Sequence, residues 1–157
     1  MGETRYIYEG NPFQNTIATP VNYVPEFFDL EIELESDVFY EVRKYNNIVP
    51  YRLNQSTQKE LDDIKEFFNK NKSTFFFLFN ENELIGSILV IRNYIQALSV
   101  ARKYQRQSYG AKLTQYAVNF ILGKGYRCVE LKVLDGNIPA HNLYNKLGFT
   151  VLQKSLV

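Results

Sequence analysis

The spacing of apolar positions is regular from about residue 57 onward. STQKELDDIKEFFNKNK places Leu61, Ile64, Phe67 and Phe68 on one stripe, and Thr57 and Glu60 have the spacing of a capping box, which predicts a helix. TFFFLF reads as a buried strand, NENE as a turn, and LIGSILVI as the second arm of a hairpin. YIQALSV is a third strand. The helical period returns over residues 109–122, with Leu113, Ala117, Phe120 and Ile121 on one face and Gly123 suited to the C-terminal cap. RCVELKVL is a strand with Val129, Leu131 and Val133 on one side. Residues 137–147 form a short helix striped by Ala140, Leu143, Tyr144 and Leu147, closed by Gly148, and FTVLQKSL is the last strand.

Upstream the pattern changes. Residues 9–25 carry three prolines among Asn and Thr and read as an irregular arm. DLEIEL and DVFYEV both alternate apolar and charged residues, so a β-hairpin is expected, residues 30–34 against 38–42. NNIVPYRLNQ is a connecting loop. The order predicts an α/β domain of three layers, a mixed and mostly antiparallel central sheet flanked by helices. One domain over residues 1–157 is expected, with 1–27 as an extra N-terminal arm.

Composition narrows the function. With 45% hydrophobic and 22% charged residues, the chain is an ordinary folded one. A net charge of +1 argues against nucleic acid as a partner, so any basic site must be local. One His and one Cys leave no structural zinc site, and no metal is expected. Cys128 cannot close an internal disulfide, which fits a reducing cytoplasm. FFFLF, the longest apolar run, is too short to span a bilayer, so no membrane is expected.

Chemistry concentrates in ARKYQRQSYGAKL, residues 101–113. A strand runs here into a helix start, whose free N–H groups and dipole attract anions. The amides of Arg106, Gln107, Ser108, Tyr109 and Gly110 could converge on a phosphate, and Arg102, Lys103 and Arg106 would add charge. Gly110, lacking a Cβ, would let the backbone approach a ligand. Neither a nucleotide P-loop nor a GxGxxG fingerprint is present.

A second segment, NIPAHNLYNKLGF, follows a strand later. Together the two segments resemble the GNAT superfamily of acetyl-CoA-dependent N-acetyltransferases. The family pattern is a strand ending in Val, then Q/R-x-x-G-x-G/A at a helix head, then N-x-x-A-x-x-L-Y-x-x-x-G-F. Here the first motif is Val100 followed by Gln105, Arg106, Gln107, Ser108, Tyr109 and Gly110. The second matches at Asn137, Ala140, Leu143, Tyr144, Gly148 and Phe149. The resemblance covers residues 75–155. It implies that residues Gln105, Arg106, Gln107, Ser108, Tyr109, Gly110 and Ala111 bind the coenzyme A pyrophosphate. It further implies that Leu98, Ser99 and Val100 pair their backbone with the pantetheine arm, as an added strand would. Asn137 would contact pantetheine or hold the short helix, and Tyr144 would protonate the departing thiolate.

The chain departs from the pattern at two places. Ser108 replaces the first family glycine, where a Cβ is tolerable if φ is negative and where the hydroxyl could cap the helix or meet a phosphate. Arg102 stands where many members have proline. The base that must deprotonate the amine is also not evident. YIQALSVA has no carboxylate, Glu130 and Asp135 read as solvent-facing and turn residues, and a water chain past Gln96, Ser99 or a backbone carbonyl is the expectation. His141, one turn before Tyr144, is expected to face solvent, and Cys128 to be structural.

Two functions remain open on sequence. The first is an enzyme moving acetyl from acetyl-CoA to a primary amine, of a small molecule or a protein, by direct attack in a ternary complex. The second is a non-catalytic acyl-CoA-binding module of the same fold. Only nine residues follow Gly148, so the family's closing hairpin lacks a strand. An N-terminal strand, the chain's own or that of a partner in a homodimer, is expected to complete or cover that edge of the sheet.

Overall fold

The computed structural model describes every residue except Met1, Asn15, Thr16, Ala18 and Val157, so part of the expected arm lies outside the described residues. In chain order the elements are β1 (Gly2–Tyr8), β2 (Val21–Asn22), α1 (Phe28–Val38), α2 (Tyr40–Tyr45), α3 (Gln58–Lys70), β3 (Phe75–Asn80), β4 (Glu83–Ile91), β5 (Tyr94–Val100), α4 (Tyr109–Gly123), β6 (Val129–Leu134), α5 (Ile138–Leu147) and β7 (Thr150–Leu156). One sheet runs in the order β2-β3-β4-β5-β6-β1-β7. Its pairs are antiparallel except β5–β6.

The continuous run FFFLF needs cover on both faces of the sheet, and the fold supplies it. Phe76 and Leu78 join Leu113, Ala117 and Ile121 of α4 on one face. Phe75 and Phe77 join Phe28 and Ile32 of α1 and Phe68 of α3 on the other. This makes three layers. The capping box forms as the sequence predicts, Thr57 Oγ1 accepting from Glu60 N–H and Glu60 Oε1 from Thr57 N–H. Helix α4 runs through Gly123, and the left-handed residue behind it is Gly125.

The expected hairpin at residues 30–42 is not formed. These residues are helical, in α1 and α2. The buried Phe28, Glu31 and Ile32 of α1, with the half-buried Glu35, keep the i, i+3, i+4, i+7 spacing of a helix. Two of those positions carry carboxylates. The acids hid the 3.6-residue period and left a false alternation of apolar and charged residues.

β1 lies inside the sheet, between β6 and β7. It pairs with β6 from Glu3↔Leu134 to Tyr8↔Val129, and with β7 from Gly2↔Leu156 to Ile7↔Thr150. Thr4, Tyr6 and Tyr8 turn inward, and Asn119 on α4 holds the chain beyond, bonding both main-chain groups of Phe13 at 2.7 and 2.8 Å. The sheet edges are β2 and β7. No helix among the described residues is long and apolar enough to cross a membrane.

Candidate functional site

The site begins where the sheet opens. β5 and β6 are neighbours, yet a single pair, Tyr94↔Glu130, joins them, and the strands diverge beyond it. A bulge in β5 precedes the divergence, because Leu89 pairs with Ala97 while Val90 pairs with Ile95, leaving Gln96 extra. Bulges increase local twist, and this one turns the rest of β5 away from β6.

Ladder phase then fixes what the opening presents. Ala101 N–H donates to the Ile85 carbonyl at 2.9 Å, so Ser99 and Ala101 bond toward β4. The main-chain groups of Leu98 and Val100 therefore turn toward the gap. Among the described residues the one bond made to them there is from Gln105 Nε2 to the Val100 carbonyl, 3.0 Å.

α4 starts at the mouth of this gap. Its first turn leaves the amides of Tyr109, Gly110 and Ala111 without helical acceptors, and the first bond spanning the helix start runs from Lys112 N–H to the Ser108 carbonyl. The loop before it contains two left-handed residues, Arg106 at φ 62° and Ser108 at φ 68°. The negative φ that would make a Cβ tolerable at Ser108 is not the one it adopts. Ser108 occupies the N-cap position, but its hydroxyl caps no amide. A Cβ on Gly110 would point at Leu143 of α5, 3.5 Å away, and at Leu98 and Val100, both 3.9 Å. Its hydrogen thus keeps the β5–α5 gap open.

α5 forms the far wall. Asn137 holds its start, its Oδ1 accepting from Ala140 N–H at 3.4 Å, and Gly148 at φ 95° ends it. Tyr144 is 6% exposed. Burial pushes its phenol well above the ordinary tyrosine range, with the Thr114 hydroxyl offsetting part of the shift. The phenol is thereby kept as a proton donor.

Leu98, Val100, Gln105, Arg106, Ser108, Tyr109, Gly110, Ala111, Asn137 and Tyr144 all line one open cavity of about 1310 Å³. Two candidates do not. Ser99 faces the other side of the sheet, and Gln107 is exposed, its side-chain amide donating to the Lys103 carbonyl. Arg102 and Lys103 are already engaged, with Asp37 at 3.0 Å and Glu83 at 2.9 Å. Of the three cations expected at a phosphate, Arg106 alone has no ion-pair partner among the described residues. His141 does not face solvent freely, since its Nδ1 lies 2.7 Å from the Tyr6 hydroxyl. Glu130 sits near Arg5 of β1 and does not line the cavity, whereas Lys132 lines it with its ammonium 3.8 Å from Glu3 of β1.

The cavity continues past β5 to the α1–α2 side, where Glu35, Val38, Phe39, Val42 and Arg43 line it. Glu35 is the functional candidate that sequence reasoning missed. Glu31, one turn earlier, is 1% exposed and accepts from Ser87 Oγ at 2.6 Å. The two carboxyls are close enough to shift each other's proton affinity. Burial raises both, Glu31 the more, with the charge of Glu35 adding to it, while Arg43 partly offsets the rise at Glu35. The signal available in sequence was the four-residue spacing of two acids beside Phe28 and Ile32.

A model of the acetyltransferase (GNAT) family matches residues 36–149. No curated protein matches the sequence. Solved structures similar in fold include a GNAT-family acetyltransferase from Colwellia psychrerythraea, at TM-score 0.71 and 11% identity, covering 96% of this chain and 53% of that one. A GCN5-related N-acetyltransferase from Sphaerobacter thermophilus has TM-score 0.66 and 16% identity, with 98% and 49% covered. Chaetomium thermophilum Naa20, in complex with a bisubstrate analogue, has TM-score 0.63 and 19% identity, with 87% and 73% covered. The chain spans about half the length of the first two.

Proposed function

The chain belongs to the acetyltransferase (GNAT) family, and we propose that it transfers acetyl from acetyl-CoA to a primary amine by direct attack in a ternary complex. The observation that carries this is the main-chain edge of Leu98 and Val100, which no strand pairs in the gap between β5 and β6, with Tyr144 lining the same cavity. A pantetheine amide chain can bond to that edge as a missing strand would.

The residues present fit the coenzyme. The amides of Tyr109, Gly110 and Ala111 and the Arg106 guanidinium would hold its pyrophosphate. Leu98 and Val100 would hold the pantetheine arm and the open face of Gly110 would leave it room, while Asn137 keeps α5 in position. The coenzyme supplies the activated thioester. The Val100 N–H, turned into the gap, would stabilise the oxyanion that forms on the acetyl carbonyl. Tyr144 would give its proton to the leaving sulfur.

The experiment is coenzyme A binding by calorimetry, followed by thiol release from acetyl-CoA across a panel of primary amines. In Tyr144→Phe, turnover should fall about 10²-fold or more while coenzyme affinity stays nearly constant. A Phe variant indistinguishable from wild type would point instead to a non-catalytic acyl-CoA-binding module. Absence of coenzyme binding would reject both.

A further inference from the structure

We infer that Glu35 on α1 accepts the proton that the acceptor ammonium must lose, and that Glu31 holds it in place as the other half of a proton-sharing carboxyl pair. This rests on the transfer reading above. It also answers the want of a carboxylate on β5, because the base comes from the opposite wall of the same cavity.

Glu31 and Glu35 are one helical turn apart, and the inner face of α1 brings both carboxyls to the sheet. Glu35 lines the cavity on the α1–α2 side, beside Gln96, Ala97 and Leu98 of β5. Glu31 lies deeper and is anchored to Ser87 on β4. Ser87 stands opposite Ser99 in the β4–β5 ladder, and the Ser99 hydroxyl, 2% exposed, has no partner among the described residues. An orphaned buried hydroxyl beside this pair is a place for a water, continuing the polar path toward β5.

Among the described residues the groups facing the pair are few. They are Ser87 and Ser99 from the sheet, Arg43 from α2 and the buried Tyr23 hydroxyl ahead of α1. Arg43 is itself held by the Pro50 carbonyl at 2.8 Å. Two buried carboxylates this close cannot both ionise, so one proton is shared. Glu31, more deeply buried, keeps it and donates it toward Glu35. Glu35 is left as a carboxylate facing the cavity, with its proton affinity raised by burial, which makes it a better proton acceptor than an exposed carboxylate.

The protons balance. The ammonium gives one proton to Glu35, which passes it to solvent. The freed nitrogen forms its bond to the acetyl carbon as the carbon–sulfur bond breaks. The nitrogen's second proton then leaves to solvent, and Tyr144 returns one to the thiolate before being reprotonated.

The test compares wild type, Glu35→Gln and Glu31→Gln. In Glu35→Gln, kcat/KM should fall about 10²–10³-fold, with the rising limb of its pH profile lost and coenzyme affinity within about twofold of wild type. In Glu31→Gln the rising limb should move to higher pH, because a weaker amide donor replaces the carboxyl proton that Glu31 gives to the Glu35 carboxylate. A merely structural role would leave that limb in place. If wild type turns over and Glu35→Gln keeps its rate and profile, the inference is overturned while the transfer reading stands. If wild type acetylates no amine, the transfer reading fails separately, and carbon-13 NMR titration of the two carboxyls in the full chain decides this one. A shared proton lost near neutral pH retains the pair, and two independent titrations in the ordinary range overturn it. The same titration decides if Glu35→Gln does not fold.

Discussion

Arg102 donates to Asp37 twice, from Nε to the carboxylate at 3.0 Å and from a terminal nitrogen to the main-chain carbonyl at 2.7 Å. The loop that follows β5 is thereby tied to the last turn of α1, and the residue that replaces a family proline acts as a strut. Its charge is spent before any phosphate arrives.

The three cations of this loop should therefore separate. Arg106→Ala should weaken coenzyme A binding more than Arg102→Ala or Lys103→Ala, and its loss should shrink as salt is raised. Arg102→Ala should cost at most about 1 kcal/mol of stability, the usual ceiling for an exposed pair. Calorimetric binding at two ionic strengths and a thermal melt check both. Equal losses from all three variants would mean that Arg102 and Lys103 leave their partners for the ligand.

Ser108 sits at φ 68° without a cap bond to offset it. An L-residue there costs roughly 1–2 kcal/mol, of which the greater chain entropy of glycine takes back up to about 1 kcal/mol. Ser108→Gly should thus raise stability by about 0.5–1 kcal/mol, and Ser108→Val, β-branched, should lower it by about 2 kcal/mol. Denaturant midpoints measure both. A Ser108→Gly protein less stable than wild type would show that the hydroxyl makes a bond worth more than the strain.

A strand bonded on both sides cannot be removed like an arm. β1 supplies neighbours to β6 and β7 at once, and its Tyr6 and Tyr8 are buried in the core beneath α5. Deleting residues 1–8 should therefore abolish cooperative unfolding and drive association through the exposed edges of β6 and β7. Thr4→Pro, which removes one ladder donor and clashes within the strand, should cost about 3 kcal/mol or more. Hydrogen exchange should show β6 protection lost in both. A deletion protein that stays monomeric with a wild-type melt would refute the role given to β1.

The second half of the fold was legible because its apolar periods are clean. Leu113, Ala117 and Ile121 mark α4, Val129, Leu131 and Val133 mark β6, and Gly148 marks the end of α5. The cavity wall proposed to hold the coenzyme lies in that half, and most of its candidate residues do line one cavity. The wall formed by α1 and α2 was not legible. Glu31 and Glu35 take inward positions on α1 that a folding helix would normally give to apolar residues, so the helix read as a strand. Local rules fail most often where a site demands an uncomfortable residue, and here both misread acids lie at the cavity or one turn from it. An N-terminal strand was expected at this side of the sheet, and the chain's own β1 is there, but its place between β6 and β7 was hidden for another reason. GETRYIY pairs with strands more than 100 residues away, and no local pattern specifies such a partner.

The buried carboxyl pair also sets a pH slope on stability. The folded state raises Glu31 well above the ordinary carboxylate range, chiefly through burial. A raised value means that folding favours the protonated form. The contribution is whole below the ordinary carboxylate range and is lost as pH rises through the raised value. Wild type should therefore be more stable near pH 5 than near pH 8 by more than its exposed groups account for. Glutamine mimics a neutral Glu31 and can keep the Ser87 contact, so Glu31→Gln should flatten that slope and be the more stable protein at pH 8. Urea midpoints across pH 5 to 9 read this directly, without any turnover. A slope unchanged by Glu31→Gln would place the shared proton elsewhere and remove the physical basis for a carboxyl pair at this wall.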